Sequence, residues 1–454
     1  MQKLFEEVGS LDKRCYDKFS LSEDILMEHA ADGMADFIRT KFTKHSKITV
    51  ACGGGNNGAD GIALARLLHK DFEVSIFYAK EVKSPMALLQ QKRVKSLNIP
   101  TCQEIKECDI LVDAIVGTGF NGEFDERLSQ IIQDMNLSKA YKIACDVPSG
   151  YKFYADTTLT MGALKKDMFL DKHKDFVGDI KVLDLGISRE IYEGETSWYL
   201  LDFEDMKLPF RDKKDSHKGS FGHLALACGD KSGASIMSAL SATKFGAGLV
   251  TLVGFKNITI PHAIMYSHEL PKNTTALACG MGLGDGFSDK ELMKFLDNDF
   301  TLVCDADIFH MPILLEILKR RDVVLTPHAK EFVSLLKQTA LADISIDELQ
   351  NKRFFYVELF CKKFPHATLI LKGANVIVAS KGKFFINPHG TQALAKGGSG
   401  DVLSGLVGAL LAQGYTPLEA AKTASLAHTK LACGYEGADF SLTADDLIEG
   451  ICKL

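Results

Sequence analysis

The hydrophobic pattern alternates between helical and strand spacing along most of the chain. In residues 21–42, apolar residues recur every three or four positions, which predicts an amphipathic helix with Ser22 as its cap. Short runs rich in β-branched residues follow, each bounded by a loop or a further helix, at residues 47–52, 72–80, 109–117, 142–147 and 178–188. This alternation predicts a doubly wound α/β domain with a mostly parallel sheet.

The same alternation restarts after residues 191–215, a segment without clear periodicity that is typical of a domain boundary. Further strands are predicted at residues 221–228, 248–255, 274–280, 301–307, 323–328 and 367–373, and residues 374–387 predict a hairpin that turns at Lys381 and Gly382. Helices are expected to begin at Thr416, followed by Pro417, and at Thr443. We therefore predict two α/β domains, residues 1–205 and 206–454.

Composition narrows the functional classes. A chain of 454 residues exceeds what one core usually supports, and 46% hydrophobic with 25% charged residues is ordinary for a globular protein. The formal net charge is -6, so the chain lacks the excess of positive charge that is typical of proteins that bind nucleic acids. We expect no secretory signal in the acidic start, MQKLFEEVGS, and no membrane span. The 11 cysteines contain no CxxC pair, which favours reduced thiols and a cytoplasmic location.

Residues 395–414, AKGGSGDVLSGLVGALLAQG, predict a glycine-rich loop that enters a helix. The free amides of the first helical turn, together with the helix dipole, would form a site for a phosphate. Asp401 at that helix start has two interpretations. It is a cap, the simpler assignment if the motif stood alone, or a base that takes the proton of a hydroxyl attacking a phosphoryl group.

A second glycine-rich segment, GGGNNGADG at residues 53–61, follows the strand at residues 47–52. A strand, a glycine-rich turn and a helix form the unit that binds phosphates or nucleotides in doubly wound sheets, although the spacing is not GxGxxG. Asn56, Asn57 and Asp60 place three short polar side chains in this predicted turn. These residues could instead simply stabilise the turn, since Asn and Asp side chains form hydrogen bonds with their own backbone.

Polar residues also follow two later strands. Because the carboxyl ends of parallel strands share one edge of a sheet, Asn57, Asp113, Asp146 and Ser149 are expected to converge on one crevice. Two carboxylates, an amide and a hydroxyl form an oxygen-rich cluster suited to a hard cation. An apolar environment would not tolerate both carboxylates ionised without such a partner.

These motifs, in this order, resemble the family of bifunctional NAD(P)H-hydrate repair enzymes over nearly the whole chain. The first half carries LMEHAADGMA, GGGNNGADG, DAIVGTGF and DVPSG; the second carries SHKGSFGHLAL, KFGAGLVTL, CGMGLG, CDADIF, LTPHAKEF, LILKGANVIV, GGSGDVLSG and LTADDL. The resemblance implies a Rossmann-like three-layer sandwich with NAD(P)H-hydrate epimerase activity. It implies a ribokinase-like three-layer sandwich with ADP- or ATP-dependent dehydratase activity in the second half.

The resemblance also implies site residues. A potassium ion would be held by Asn57, Asp113 and Ser149. In the epimerase the hydrate would be lined by Asn56, Asn57, Gly58, Ala59, Asp60, Gly117, Thr118, Gly119, Phe120, Asn121, Gly122, Glu123 and Asp146. In the dehydratase the hydrate would contact Ala234, Gly282, His328 and Asp401. The adenine nucleotide would bind Lys372, Gly373, Ala374, Asn375, Val376 and Gly400.

The implied function is repair of hydrated nicotinamide nucleotides. The R and S forms of NAD(P)HX would be interconverted, and the S form dehydrated to NAD(P)H at the expense of ADP or ATP, with potassium and magnesium as cofactors. We expect Asp401 to accept the C6 hydroxyl proton during phosphoryl transfer while the loop amides stabilise the developing charge. Asp146 is the expected acid/base of the epimerase, with Asp113 as the alternative. A homo-oligomer is expected.

Some of these residues have simpler explanations. A histidine after a strand, such as His328, is more often structural than a substrate contact, and Lys372 could cap a strand edge. The sequence also departs from the family pattern at Ala59, usually glycine, His29, usually asparagine, Ser399, usually threonine, and the segment 389–396.

Two other functions stay open from the sequence. A small-molecule kinase for vitamin precursors has a similar GGSGD loop, but it would leave a stable phosphorylated product. A non-catalytic nucleotide-binding regulator would arise if one half had decayed. The presence of Asp401, Asp113 and Asp146 argues against decay in either half.

Overall fold

The computed structural model describes residues 1–120, 122–254, 258–296 and 299–454. The chain divides into two compact units, Lys3–Thr196 and Ser197–Leu454, the latter together with Met1–Gln2. Both units alternate strands with helices, which confirms the predicted α/β class. The assignment of residues 1–205 and 206–454 to separate activities stays a prediction.

The strands up to residue 183 are β1 (Gln2–Phe5), β2 (Lys47–Cys52), β3 (Glu73–Tyr78), β4 (Thr101–Cys102), β5 (Ile110–Ala114), β6 (Tyr141–Cys145), β7 (Thr157–Met161), β8 (Leu164–Lys165) and β9 (Asp179–Leu183). The main sheet of the first unit has the order β4-β3-β2-β5-β6-β7-β9, and its paired strands are parallel. The strand order reverses between β2 and β5. A crevice outside the carboxyl ends of such strands is the usual ligand site of this architecture.

The helices of the first unit are α1 (Gly9–Phe19), α2 (Glu23–Lys41), α3 (Asn56–Leu68), α4 (Pro85–Ser96), α5 (Glu126–Leu137), α6 (Lys174–Val177) and α7 (Arg189–Tyr192). The predicted cap of α2 is confirmed, because the Ser22 hydroxyl accepts a hydrogen bond from the Ile25 amide. Val50 packs on one face of the sheet with residues of α2 and α3, whereas Leu111 packs on the other face with residues of α5. The unit is therefore a three-layer sandwich.

The strands of the second unit are β10 (Trp198–Leu200), β11 (His223–Ala227), β12 (Leu249–Val253), β13 (Met265–Ser267), β14 (Ala276–Cys279), β15 (Thr301–Cys304), β16 (Val323–Leu325), β17 (Ala367–Leu371), β18 (Val376–Ser380) and β19 (Lys383–Asn387). Their order is β13-β12-β11-β14-β15-β16-β17-β18-β19-β10. The strands are parallel up to β17, and β18 pairs antiparallel with both neighbours. The predicted hairpin is confirmed, and its turn residues Lys381 and Gly382 both have positive φ.

The helices of the second unit are α8 (Ser232–Lys244), α9 (Asp289–Leu296), α10 (Leu314–Ile317), α11 (Ala329–Gln338), α12 (Ile346–Asn351), α13 (Arg353–Lys363), α14 (Ser399–Ala412), α15 (Pro417–Cys433) and α16 (Ala444–Gly450). The predicted caps Thr416 and Thr443 both accept an amide of the first helical turn. Helix α14 is central and packs against α8 and α15. A Cβ at Gly405 would lie 2.2 Å from the Ser238 carbonyl oxygen, so α14 approaches α8 backbone to backbone. Among the described helices, none combines the length and apolarity needed to cross a membrane.

Candidate active sites

A cavity of about 1100 Å³ opens at the carboxyl edge of the first unit's sheet. Many of the expected hydrate residues line it, namely Asn56, Asn57, Asp60, Gly117, Thr118, Gly119, Phe120 and Asp146. Gly58 and Ala59 are instead buried within α3, and Gly122 and Glu123 are exposed outside the lining. Asn121 lies outside the described residues.

The glycine-rich segment differs from its predicted form. Only residues 53–55 form the turn, and α3 already begins at Asn56, so the interpretation of Asn56, Asn57 and Asp60 as turn residues is wrong. The physical reason is that Gly55 serves as an extended N-cap, after which a helix can start at once. The polar side chains therefore project from the first turns of a helix. Ala59 has ordinary helical geometry and packs near Met27 and Met86.

Beneath the cavity, a buried cluster joins three of the expected residues. The Asp113 carboxylate accepts a hydrogen bond from Ser149 Oγ at 2.6 Å and another from the Ser149 amide at 2.8 Å. The Oδ1 and Nδ2 atoms of Asn57 are buried, and neither has a hydrogen-bond partner among the described residues. Burial raises the pKa of Asp113 to about 6. A buried amide oxygen without a donor and a buried carboxylate fit a desolvated cation, so this residue set suits potassium.

Asp146 faces the same cavity but is paired differently from the sequence-based cluster. Its Oδ1 accepts hydrogen bonds from Lys165 Nζ at 2.5 Å, the Met161 amide at 3.1 Å and Thr160 Oγ1 at 3.3 Å. Lys165 is only 1% exposed, and it also donates to Thr160 Oγ1 and the Met161 carbonyl. The cationic partner of the Asp146 carboxylate is therefore the ammonium group of Lys165. The sequence signal for it was a lysine directly after the short apolar segment MGAL.

Further crevice residues come from the two ends of the unit and were not predicted from the sequence. Asp12 of α1 accepts a hydrogen bond from the Tyr192 hydroxyl at 2.7 Å, although 180 residues separate them. Glu23 accepts one from Asn56 Nδ2 at 2.6 Å. All four side chains line the cavity. Because such pairings join distant segments, no local pattern indicates them.

In the second unit, the loop before α14 forms the predicted helix start. Gly398 is the N-cap in the left-handed region, with φ 89°, and a Cβ there would lie 2.9 Å from Met237 Sδ. Asp401 is the third residue of the helix rather than its cap, so the capping interpretation is wrong. The reason is that glycine, which has no side chain to bond the amides, takes the cap position. The first-turn amides thus stay available to an anion.

Lys372 lies beside this helix start. Its Nζ is 2.8 Å from Asp305 Oδ1 and 3.8 Å from Glu331 Oε2, and a Cβ at Gly400 would lie 3.4 Å from it. Asp305 is held in turn by Ser404 Oγ at 2.7 Å. Burial alone would lower the pKa of Lys372, but the charges of Asp305 and Glu331 raise it above its usual value. The lysine therefore presents a permanent positive charge next to the anion-binding amides.

Asp401 lies close to this charge network. Burial raises the pKa of Asp401 to about 6, the negative charge of Asp305 adds to the shift, and Lys372 opposes it. The described residues provide no hydrogen bond to its carboxylate. A carboxylate with a pKa near neutrality and a free lone pair is suited to general-base catalysis.

The expected hydrate residues of the second unit flank this network. Ala234 and Gly282 face each other, because a Cβ at Gly282 would lie 3.1 Å from Ala234 Cβ. One turn after Ala234, Ser238 Oγ donates to the Asp401 carbonyl at 2.7 Å. His328 caps α11, where its Nδ1 accepts the Glu331 amide at 3.1 Å. Its side chain is still 52% exposed, so the capping role and a substrate contact are compatible.

The expected nucleotide loop follows β17. Gly373 and Ala374 are exposed, whereas Asn375 and Val376 are buried. The atypical segment 389–396 meets this loop, since a Cβ at Gly390 would lie 2.4 Å from the Ala374 carbonyl oxygen. A glycine is thus still present where the two backbones approach most closely.

A crevice lined by carboxylates at the carboxyl edge of one sheet, and a second site where a helix start leaves its amides free for an anion, are typical of an α/β enzyme that acts on nucleotides. A family profile described as NAD(P)H-hydrate dehydratase matches residues 224–452, and one described as YjeF-related protein N-terminus matches residues 23–169. The chain is 40% identical to the bifunctional NAD(P)H-hydrate repair enzyme of Helicobacter pylori over 100% of both chains. It is 31% identical to that of Coxiella burnetii over 94% of both.

The chain therefore belongs to the family of bifunctional NAD(P)H-hydrate repair enzymes, which confirms the resemblance read from the sequence. A similar solved structure is the ADP/ATP-dependent NAD(P)H-hydrate dehydratase from Bacillus subtilis, co-crystallized with ATP/Mg2+. It is 26% identical, covers 54% of this chain and 92% of its own, and has a TM-score of 0.46.

Proposed function

We propose that this chain repairs hydrated nicotinamide nucleotides at two separate sites, epimerising the R and S forms of NAD(P)HX in the first unit and dehydrating the S form in the second. The phosphoryl donor is ADP or ATP, which becomes AMP or ADP plus phosphate. The observation that carries the proposal is Asp401. Its pKa is raised to about 6, its carboxylate accepts no hydrogen bond from the described residues, and it lies at a helix start whose amides can bind an anion.

The dehydratase reaction follows from that arrangement. Asp401 accepts the C6 hydroxyl proton as the oxygen attacks the terminal phosphoryl group. The first-turn amides of α14 and Lys372 stabilise the charge that develops on the phosphoryl oxygens. The ring nitrogen lone pair then expels phosphate, a better leaving group than hydroxide, and loss of the C5 proton restores NAD(P)H.

In the first unit, Asp146 is the proposed acid/base for the reversible loss and return of the C6 oxygen. Asn57, Asp113 and Ser149 would hold potassium. When bound there, potassium supplies a positive charge that favours the ionised form of Asp113. The buried, unpartnered amide oxygen of Asn57 is the support for this assignment.

Magnesium would be bound mainly by the phosphates of the nucleotide. Among the described residues, no group of three or more His, Cys, Asp or Glu side chains is placed to hold a metal ion. Magnesium in phosphoryl-transfer sites is commonly bound through substrate phosphates and only one or two carboxylates. The homo-oligomer and the cytoplasmic location remain predictions from the sequence.

The test supplies both C6 epimers together with potassium, magnesium and ADP or ATP, and follows dihydronicotinamide absorbance and free phosphate. Full conversion of both epimers with one phosphate per NAD(P)H is expected. A persistent phosphoester would indicate the kinase alternative, and nucleotide binding without turnover would indicate the regulator. A parallel reaction without nucleotide should show epimerisation only.

A further inference from the structure

Two carboxylates face the first unit's crevice from different elements and in contrasting environments. Asp146, directly after β6, has an Oδ1 that accepts three hydrogen bonds, one of them from the buried Lys165. Asp60, the fifth residue of α3, lines the same cavity. Within the described ranges, no group donates a hydrogen bond to Asp60. One carboxylate thus has a buried cationic partner, and the other has no hydrogen-bond donor among the described residues.

The charges that surround Asp60 strengthen this contrast. They come from Asp146 after β6, Asp12 of α1, Glu23 of α2 and Lys165 of β8, with Tyr16 of α1 and Cys145 of β6 as nearby neutral titratable groups. Three carboxylates oppose one ammonium group, and Lys165 Nζ is already bonded to Asp146. Burial, followed by the charges of Asp146 and Asp12, raises the pKa of Asp60 well above its usual value. Asp60 therefore holds a proton more readily than an exposed carboxyl group does.

Two carboxyl groups in one crevice, one bonded to an ammonium group and the other without a donor among the described residues, are suited to act as a base and an acid. We propose that Asp60 is a second catalytic residue of the epimerase, the proton donor to the departing C6 hydroxyl, and that Asp146 is the base for the water that adds to the opposite face. This inference rests on the proposed function of the first unit.

The proton and electron balance is complete without a further reactant. As the ring nitrogen lone pair forms the N1=C6 bond, the C6–O electron pair stays with oxygen, which takes the Asp60 proton and leaves as water. The ring is then cationic and Asp60 anionic. Water adds to the other face of C6, the N1=C6 electron pair returns to nitrogen, and the surplus proton passes to Asp146. Proton return from Asp146 to Asp60 restores the starting state.

The same geometry assigns a role to Lys165 and to the acidic crevice wall. Lys165 occupies Asp146 Oδ1, while Oδ2 accepts no hydrogen bond from the described residues and is available to water. Lys165 is thus a positioning residue. The negative charges of Asp146 and its neighbours would stabilise the cationic ring that both half-reactions share.

The test compares full-length Asp60→Asn, Asp60→Glu, Lys165→Met and Asp32→Asn with the wild type. Each separated epimer is supplied without ADP or ATP, so that only epimerisation proceeds, and kcat/KM is measured against pH. We expect Asp60→Asn to slow both directions by roughly 10²- to 10⁴-fold and to remove the alkaline limb of the profile. Asp60→Glu should restore part of the rate together with that limb.

The other variants separate chemistry from structure. Lys165→Met should move the acid limb to higher pH, because Asp146 loses its cation, whereas a purely structural role would lower the rate without moving the limb. Asp32 is exposed on α2 outside the crevice, so Asp32→Asn should behave as wild type. Thermal unfolding of each variant shows whether the first unit is folded.

The outcomes are distinguishable. A folded Asp60→Asn enzyme with wild-type rate and an unchanged alkaline limb would overturn the role of Asp60 while leaving the proposed function intact. If Asp60→Asn does not fold, Asp60→Glu decides. Its longer side chain moves the carboxyl group, so we expect a rate below wild type and an alkaline limb at a different pH, and a wild-type rate with the limb at its wild-type pH would overturn the role of Asp60. Absence of epimerisation in the wild type would overturn the proposed function and this inference together.

Discussion

The two crevices use the same pair of residue types in opposite orientations. In the first unit the lysine is buried, with Lys165 1% exposed, and its partner Asp146 is 13% exposed at the crevice. In the second unit the carboxylate is buried, with Asp305 3% exposed, and its partner Lys372 is 21% exposed. In each pair the buried member holds the side chain that faces the crevice or the helix start. The crevice proposed to move protons to and from the C6 oxygen presents a carboxylate, and the one proposed to handle phosphate presents a cation.

Removal of either side chain from one of these ion pairs should lower the stability of its unit. Removing one partner of a buried ion pair costs about 3–5 kcal/mol, because the remaining charge is left uncompensated. The exposed member can escape part of this cost through water. Replacing the exposed member should therefore cost more stability than replacing the buried member, because it leaves the buried charge without a partner.

The largest expected effect separates the two sites. Asp401→Asn should reduce dehydratase turnover by roughly 10²- to 10⁴-fold, because the C6 hydroxyl loses its base, and should leave epimerisation unchanged. Asp146→Asn is the matched variant and should do the reverse. Separate assays of each activity on both variants check this. Loss of both activities in either variant would contradict the independence of the two crevices.

A smaller effect tests the exposed cation. Lys372→Met should lose about 2 kcal/mol of transition-state stabilisation, roughly 30-fold in kcat/KM for the nucleotide, since a charged donor to phosphate disappears. Asp305→Asn keeps the lysine but removes the carboxylate that holds it, and should lower kcat/KM for the nucleotide by less. Steady-state kinetics with varied nucleotide measures both. Equal kcat/KM in Lys372→Met and wild type would rule out contact with phosphate.

The pH dependence of the dehydratase follows from Asp401. The general base acts in its ionised form, and the pKa of Asp401 is raised to about 6, so turnover should be full above that pH and fall as the pH drops through it. Because Lys372 opposes the shift, Lys372→Met should move the acid limb to higher pH. A kcat profile at saturating substrates, collected for both proteins, checks this. A limb that stays in place would show that the lysine charge does not reach Asp401.

Potassium should stabilise the first unit measurably. At ten times its dissociation constant a ligand that binds only the folded state adds about 1.4 kcal/mol, so the first unit's thermal transition should rise in potassium chloride relative to tetramethylammonium chloride. In Asn57→Ala the rise should be reduced or absent, because the free amide oxygen is gone. A full response in Asn57→Ala would place the cation elsewhere.

The smallest effect concerns His328. His328→Ala should lose about 1 kcal/mol of stability with the α11 cap, whereas Asn keeps a capping oxygen and His328→Asn should lose less. Both variants should raise KM for the hydrate if the imidazole also contacts it. Wild-type kinetics in His328→Asn would restrict the residue to capping.

Sequence reasoning predicted the fold well where the local pattern is strong. The amphipathic α2, the β18–β19 hairpin and the caps of α15 and α16 were found because periodicity and turn chemistry are local. β7, with the sequence TTLTM, was not predicted. Its five residues are all buried, so they show no alternation, and their threonines are polar by composition.

The sequence by itself determined the order of elements, the two glycine-rich helix starts and the family, because each depends on neighbouring residues or on motifs in linear order. Only the tertiary structure decided which carboxylates have a cationic partner. Lys165 lies 19 residues after Asp146, and Lys372 lies 67 residues after Asp305. Such ion pairs form when packed elements bring distant side chains together and exclude water. Local spacing reports backbone preference and burial, and neither identifies the partner of a buried charge.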